Sequence, residues 1–252
     1  MGPRVTGTKQ GWATGDVIAT HLKAAGWTVE EQQFSYRATP VRNIIGRKGQ
    51  GPAVLIGAHY DTRPVADKNS PGAQNQPIIG ANDGASGVAV LLELARVLDV
   101  ERTGRQVWLA FFDGEDRGEL NGWPFAVGAD HMATHLGVKP EAMILLDMVG
   151  DKEQDFYWEG YSDKGLMAQL WNVAAGLGYG GEFIRDYKWS MDDDHIPFIK
   201  AGIPSVDIID FDYPYWHTTQ DTCDKLSAES LGRVGHVLQT WLEHADPANR
   251  QG

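Results

Sequence analysis

Residues 52–59, PAVLIGAH, form a short apolar run that stays free of polar side chains until its final histidine. A run of this kind is typical of a strand buried on both faces, because a strand with one wet face alternates apolar and polar residues. Three further stretches share the character: RQVWLAFFD (105–113), AMILLDMVG (142–150) and IPSVDIID (203–210). The four runs together predict the interior of a sheet that is covered on both sides.

Helical patterns separate these runs. An amphipathic helix that continues into a strand covers residues 13–34, and further helical patterns cover 86–98, 123–136, 163–178 and 228–244. The alternation predicts an α/β fold, a three-layer αβα sandwich around a central, mostly parallel mixed sheet. Residues 63–82 are rich in Pro, Gly and Asn, which favours a surface loop.

Composition limits the class of protein. The 252 residues are 42% hydrophobic and 22% charged, which fits one globular domain over 1–252. A formal charge of −12 disfavours nucleic acid and anionic membranes as partners. No apolar run approaches the roughly 20 residues of a membrane span. The single cysteine, Cys223, excludes a Cys-based zinc cluster. We expect a monomer, and secreted, periplasmic and cytoplasmic locations all stay open, since a leader could have been trimmed.

Polar residues follow the predicted strands, at the edge where open α/β sheets place their ligand sites. His59 ends the first run and Asp61 follows it, Asp83 precedes a helix, and the third run carries Asp147. The second run leads into Asp113, Glu115 and Asp116. Carboxylates concentrated in this way repel one another unless a cation lies among them. Asp, Glu and His without Cys suit zinc, so the sequence predicts a metal site open to solvent.

Each residue also has a plainer interpretation. Asp83 alone fits a helix N-cap equally well, Asp147 a buried carboxyl with satisfied hydrogen bonds, and His59 a structural histidine. Asp61 shares a strand face with His59 and is expected to orient its ring. The remaining histidines on helical patterns are taken as surface or packing residues: His21, His131, His135, His236 and His244. The joint pattern is what favours a site.

Six motifs occur in order: AHYDT, ANDGASG, FFDGED, LLDMVG, DDDHIPFIKAGIP and WHTTQDT. With this order the chain resembles the zinc-dependent aminopeptidase superfamily with paired co-catalytic metals, and within it the glutaminyl cyclase branch of prokaryotic type. The resemblance implies that Asp83, Asp116 and His217 bind zinc and that Glu115 is the general acid/base. It also implies a possible second metal site at His59 and Asp147, which would share Asp83. One zinc ion is expected, and two are possible.

The cyclase branch is favoured by two residues. Asp193 stands where aminopeptidases usually have Ser, and Trp216 precedes the histidine ligand. Asp116 departs from the pattern, because both groups generally have Glu there, so its shorter side chain must be offset by the metal or the loop. The resemblance implies a peptide or protein substrate with a free N-terminus.

The expected chemistry converts N-terminal Gln to pyroglutamate with release of ammonia. Zinc would polarise the amide carbonyl, Glu115 would carry the proton, and Asp193 and Asp147 would form an acidic network near the leaving nitrogen. Trp216 would wall the substrate pocket, and Trp123 would either join that wall or anchor the following helix in the core. The alternative is a zinc aminopeptidase in which Glu115 activates a water. A non-catalytic peptide-binding domain is the remote alternative, and the intact set of ligands and base argues against it.

Overall fold

The computed structural model describes residues 2–244. Met1 and residues 245–252, the ends of the domain expected over 1–252, lie outside them. The described residues contain eight strands: β1 (Thr28–Tyr36), β2 (Thr39–Gly49), β3 (Ala53–His59), β4 (Gln106–Phe112), β5 (Ala142–Asp147), β6 (Phe156–Glu159), β7 (Phe183–Trp189) and β8 (Ser205–Ile209). The same part of the chain contains seven α-helices: α1 (Lys9–Ala24), α2 (Ala85–Val97), α3 (Val100–Thr103), α4 (Val127–Thr134), α5 (Lys164–Gly176), α6 (Ile196–Lys200) and α7 (Ala228–His244).

Six strands form one sheet in the order β1-β2-β4-β3-β5-β8. β3 is parallel to both β4 and β5, and β5 is parallel to β8. β1 and β2 form an antiparallel hairpin, and β2 joins the sheet antiparallel to β4. The expected mostly parallel mixed sheet is confirmed.

Two cores cover the sheet, and β3 shows how one strand serves both. Val54, Ile56 and Ala58 pack into the core that holds α1, α2, α5 and α7. Leu55 points the other way, into the core that holds α4 and α6. Because alternate residues of a strand face opposite sides, a strand buried on both faces has to be apolar throughout. The αβα layering predicted from PAVLIGAH follows from this double burial.

The strand order positions the site. In the sheet, β3 lies between β4 and β5: the chain that leaves β3 first forms β4 on one side of β3 and later forms β5 on the other side of β3. The loops that leave neighbouring strands diverge at such a point, which opens a crevice at the carboxyl ends of the strands. His59 is the last residue of β3 and Asp147 the last of β5, so both lie at this crevice.

Some elements differ from the sequence-based expectation. The helical pattern over 123–136 contains a shorter helix, α4, which begins only at Val127. β2 was not expected, and neither was the separate two-stranded sheet of β6 and β7. Within residues 2–244, none of the helices combines the length and the apolar character that crossing a bilayer requires.

Candidate active site

Three residues from different parts of the chain meet at the crevice. Asp83 comes just before α2, Asp116 lies in the loop after β4, and His217 lies in the loop after β8. His217 Nε2 is 3.0 Å from Asp116 Oδ1 and 3.6 Å from Asp83 Oδ2. All three side chains are buried, and one potential ligand atom of each lies within 4.8 Å of the others.

A second group shares Asp83. His59 Nε2 is 3.1 Å from Asp83 Oδ1 and 3.2 Å from Asp147 Oδ1. Asp83 therefore presents one carboxylate oxygen to each group. The capping interpretation of Asp83 does not hold, because the N-cap of α2 is Gly84 and no side chain caps that helix.

The donor atoms fit a cation. Ligands about 2.0–2.2 Å from a tetrahedral zinc lie about 3.4 Å from one another, close to the separations seen in both groups. Within residues 2–244, Asp83 Oδ2 and Asp116 Oδ1 are buried without a hydrogen bond, although both face His217. Burying a carboxylate oxygen that accepts no hydrogen bond costs free energy of folding. A metal ion at Asp83, Asp116 and His217 would satisfy them, and carboxylate with imidazole suits zinc.

Asp61 holds the loop that carries Glu115 and Asp116. Its Oδ1 accepts a hydrogen bond from the Glu115 backbone N–H at 3.2 Å, and its Oδ2 accepts one from the Asp116 N–H at 3.2 Å. Asp61 Oδ1 also lies 3.5 Å from His59 Nδ1. Asp61 thus lies beside the His59 ring and also fixes the backbone of two neighbouring acids.

Asp67 supports His217 from the loop after β3. Its Oδ1 lies 3.3 Å from His217 Nδ1, and its two oxygens accept hydrogen bonds of 2.9 and 2.7 Å from Arg63. A carboxylate behind an imidazole ligand fixes the orientation of its ring. The Arg63 backbone N–H donates to Asp116 Oδ2, which leaves Oδ1 turned toward His217. Although Asp is shorter than the Glu expected at this position, the Asp116 carboxylate therefore still reaches His217.

Asp221 fixes the backbone around Asp83. Its carboxylate accepts hydrogen bonds from the N–H groups of Asn82 at 2.8 Å and Asp83 at 3.2 Å, and from the Tyr213 hydroxyl at 2.8 Å. Gly84 makes room for His59, because a Cβ at Gly84 would lie 2.3 Å from His59 Nε2. Any larger residue at Gly84 would displace the imidazole.

A cavity of about 210 Å³ opens onto both groups. Glu115, Asp147 and Asp193 line it together with Asp83 and His217. Its apolar wall is made by Phe125, Met148, Met191, Ile209, Phe211 and Trp216. Trp216 stacks on the His217 ring at 3.8 Å between centroids and meets Phe211 edge-on at 4.9 Å. A small, acid-lined and partly apolar cavity suits one polar side chain next to the candidate metal site.

Comparison with known proteins defines the family. The model of peptidase family M28 matches residues 41–242. The chain belongs to peptidase family M28. A crystal structure of glutaminyl cyclase from Porphyromonas gingivalis resembles this M28 chain with a TM-score of 0.89 and 36% identity, covering 97% of this chain and 93% of that one.

Two curated M28-like relatives carry different names. The glutaminyl-peptide cyclotransferase-like protein of Bos taurus is 25% identical over 87% of this chain and 65% of the relative. Aminopeptidase YwaD of Bacillus subtilis is 27% identical over 94% of this chain and 52% of the relative. The chain thus spans about half to two thirds of the length of these two relatives.

Burial is the largest influence on the pKa values of the acidic residues in this site. It raises the pKa of Glu115 well above its ordinary value, and Asp193 and Asp116 raise it further, whereas His59 opposes them. Burial and the charge of Asp147 raise the pKa of Asp193 to about 7. Burial alone would lower the pKa of His217, but Asp116 and Asp67 raise it to about 9. A bound cation would favour the ionised carboxylates.

The structure does not bring Trp123 into the site. Trp123 packs with Val41 and Val127 in a separate small cluster and meets Tyr36 edge-on at 4.8 Å. The Arg117 guanidinium lies 4.1 Å from the centroid of its ring. This placement matches the interpretation of Trp123 as an anchor before α4, and Trp123 is not among the residues that line the cavity of about 210 Å³.

Sequence reasoning missed Glu159, which is buried behind the cavity. Its carboxylate accepts hydrogen bonds from the N–H groups of Tyr161, Ser162 and Met191, from the Ser162 hydroxyl, and lies 3.2 Å from His195 Nε2. Met191 and His195 flank the segment that carries Asp193, so Glu159 ties this segment to the end of β6. No local spacing marks a residue that acts on a segment more than 30 positions away.

Asp207 was missed as well. It lies in β8 with no exposure, and its two carboxylate oxygens have no hydrogen-bond partner within the described part of the chain. Burial raises its pKa well above the ordinary value, and Asp193 and Asp147 raise it further. An Asp in the middle of the apolar run 203–210, in addition to the one that ends it, was the signal that could have identified it.

Proposed function

We propose that this chain is a glutaminyl cyclase, which converts an N-terminal glutaminyl residue to pyroglutamate and releases ammonia. One observation carries the proposal. Glu115, Asp193 and Trp216 line the same small cavity as Asp83 and His217. The likeness to the Porphyromonas gingivalis glutaminyl cyclase supports it.

The reaction joins the α-amino nitrogen to the carbon of the side-chain amide and breaks the bond from that carbon to its NH₂ group. The amine loses one proton, and the departing nitrogen gains one to leave as ammonia. One carboxylate that accepts the first proton and returns it therefore suffices. Glu115 faces the cavity and is only 7% exposed, so bulk water competes little for that proton.

Zinc held by Asp83, Asp116 and His217 would supply Lewis-acid polarisation of the amide carbonyl. Asp193 and Asp147 also line the cavity and would hold a proton near the leaving nitrogen, since the buried charge of Asp147 raises the pKa of Asp193 and such acids do not all ionise together. Trp216 and Phe211 would hold the methylene groups of the glutamine side chain. The cavity volume of about 210 Å³ is smaller than the roughly 300–1,000 Å³ of sites for drug-sized ligands, so the cavity suits a single residue.

The second candidate function is hydrolysis by a zinc aminopeptidase. It is favoured by the second donor group, because His59, Asp83 and Asp147 are also arranged as a possible metal site. The relationship to aminopeptidase YwaD is in keeping with it. In this reaction Glu115 would take a proton from water and not from the substrate amine.

Ammonia release separates a cyclase from a simple amidase. The zinc-loaded protein would be given a Gln-peptide with a free amine and the same peptide with an acetylated amine. We expect ammonia only from the free amine, because the acetylated nitrogen is not a nucleophile. Equal release from both peptides would show that water, and not the α-amine, attacks the amide, and the proposal would fail.

A further inference from the structure

A larger cavity lies next to the catalytic one. Its volume is about 480 Å³, against about 210 Å³ for the catalytic cavity. Phe125 and Asp192 line both cavities, so these two residues form a wall common to both. We call the larger cavity the outer groove. It lies between the end of β1, the helix α4 and the start of α6, and Phe34, Tyr36, His131 and Ile196 also line it.

The floor of the outer groove is a preformed stack of rings. Phe34 lies flat on His131 with 3.8 Å between ring centroids and 7° between planes, and His131 stacks on His135 at 4.2 Å. Phe125 is packed against the backbone of Gly118, where an added Cβ would lie 2.1 Å from its ring. Such a surface loses little conformational freedom when it binds an extended chain.

The rim of the outer groove is net negative. Asp130, in the first turn of α4, and Asp192 are exposed carboxylates, whereas Lys200 at the end of α6 is the opposing cation. The whole chain also carries a formal charge of −12. Charges of this sign attract basic side chains and repel acidic ones.

We propose that the outer groove binds the residues that follow the N-terminal glutamine of a peptide substrate, and that it favours basic over acidic side chains at the second and third positions. The inference rests on the proposed cyclase function. The catalytic cavity has room for one residue, so the rest of the peptide has to leave it. The outer groove shares two wall residues with that cavity and has more than twice its volume, which leaves room for the following residues.

Three amidated peptides test the inference: Gln-Ala, Gln-Lys-Lys-Ala and Gln-Glu-Glu-Ala. We expect kcat/KM for cyclisation to be about two- to tenfold higher for the Lys peptide than for the Glu peptide, since exposed charge pairs contribute up to about fivefold each. Asp130→Asn should lower this ratio by about twofold, and Lys200→Gln should raise it by a similar factor. The ratio should shrink in 0.5 M salt, which screens exposed charges.

Glu101→Gln is the matched control. Glu101 is exposed in α3, which precedes β4 and so lies at the opposite end of the parallel strands from the site. The substitution removes the same charge as Asp130→Asn and should leave the ratio unchanged. Equal kcat/KM for the two longer peptides, with the dipeptide still cyclised, would overturn the outer groove while the cyclase function stands. Cyclisation of none of the three peptides would refute the cyclase function and this inference with it.

Discussion

Replacing Glu115 by Gln tests whether proton transfer and metal binding reside in different residues. Gln keeps the shape of Glu, and the backbone N–H of residue 115 would still donate to Asp61 Oδ1. The Glu115 side chain belongs to neither group of potential ligands, so zinc content should stay unchanged. An amide cannot carry a proton between the amine and the leaving nitrogen.

The expected loss of rate in Glu115→Gln follows from the role of Glu115 in proton transfer. Loss of general acid/base catalysis costs about 10²- to 10⁴-fold in rate. At about 1.36 kcal/mol for each factor of ten, this is about 2.7 to 5.4 kcal/mol of transition-state stabilisation. The burial of Glu115 favours the upper half of the range, because little solvent reaches the cavity to replace the lost carboxylate.

The assay measures kcat from ammonia release and zinc per chain after dialysis, for Glu115→Gln and for Asp116→Asn. Asp116 Oδ1 faces His217 Nε2 at 3.0 Å, so Asp116→Asn should lose zinc and activity together. Glu101→Gln, far from the site, controls for the change of one charge. The reasoning is refuted if Glu115→Gln releases zinc as readily as Asp116→Asn, or if its kcat falls by less than tenfold.

Three further predictions concern the surroundings of the site. Asp193→Ser should lower kcat for a Gln-peptide by more than it raises KM, because the lost carboxyl acts mainly in the transition state; steady-state kinetics with an unchanged kcat would make Asp193 a bystander. One zinc ion per chain should survive dialysis, although His59 and Asp147 could build a second site; metal analysis that finds two, with activity following the second, would favour the peptidase. Glu159→Gln should lower both Tm and kcat while zinc is retained, because an NH₂ group would face backbone donors that now bond to a carboxylate, at about 1.5–3 kcal/mol for each bond lost. Calorimetry that finds Tm and kcat both unchanged would contradict that role.

The sequence predicted those strands whose burial on both faces leaves a continuous apolar run. β3, β4, β5 and β8 are buried along nearly their whole length, and their apolar runs located each of them within about three residues. β2 escaped because TPVRNIIGRKG mixes charged and apolar residues, and its position in the sheet depends on pairing with β1 and β4. β6 has only four residues, β7 has a mostly exposed surface, and the two are irregularly paired, so neither carries a clear period.

The residues of the candidate site also fall into those that the sequence predicted and those that it did not. His59 and Asp147 end strands, and the rule that ligands bind at the carboxyl ends of strands predicted that such residues would meet. Asp67, Asp221 and Glu159 act on partners that lie far away in the sequence or in a loop, so folding alone brings them into contact. The roles of the individual residues, the single domain over 1–252 and the monomeric state stay predictions.

The most direct test of the central claim is the mass of the products. The zinc-loaded protein would be incubated separately with a Gln-peptide and with a Leu-peptide of otherwise identical sequence, and the products identified by mass spectrometry. A glutaminyl cyclase removes one ammonia from the Gln-peptide and leaves the Leu-peptide intact. Release of free leucine and a shortened peptide, with no loss of ammonia from the Gln-peptide, would contradict the account and make the chain an aminopeptidase.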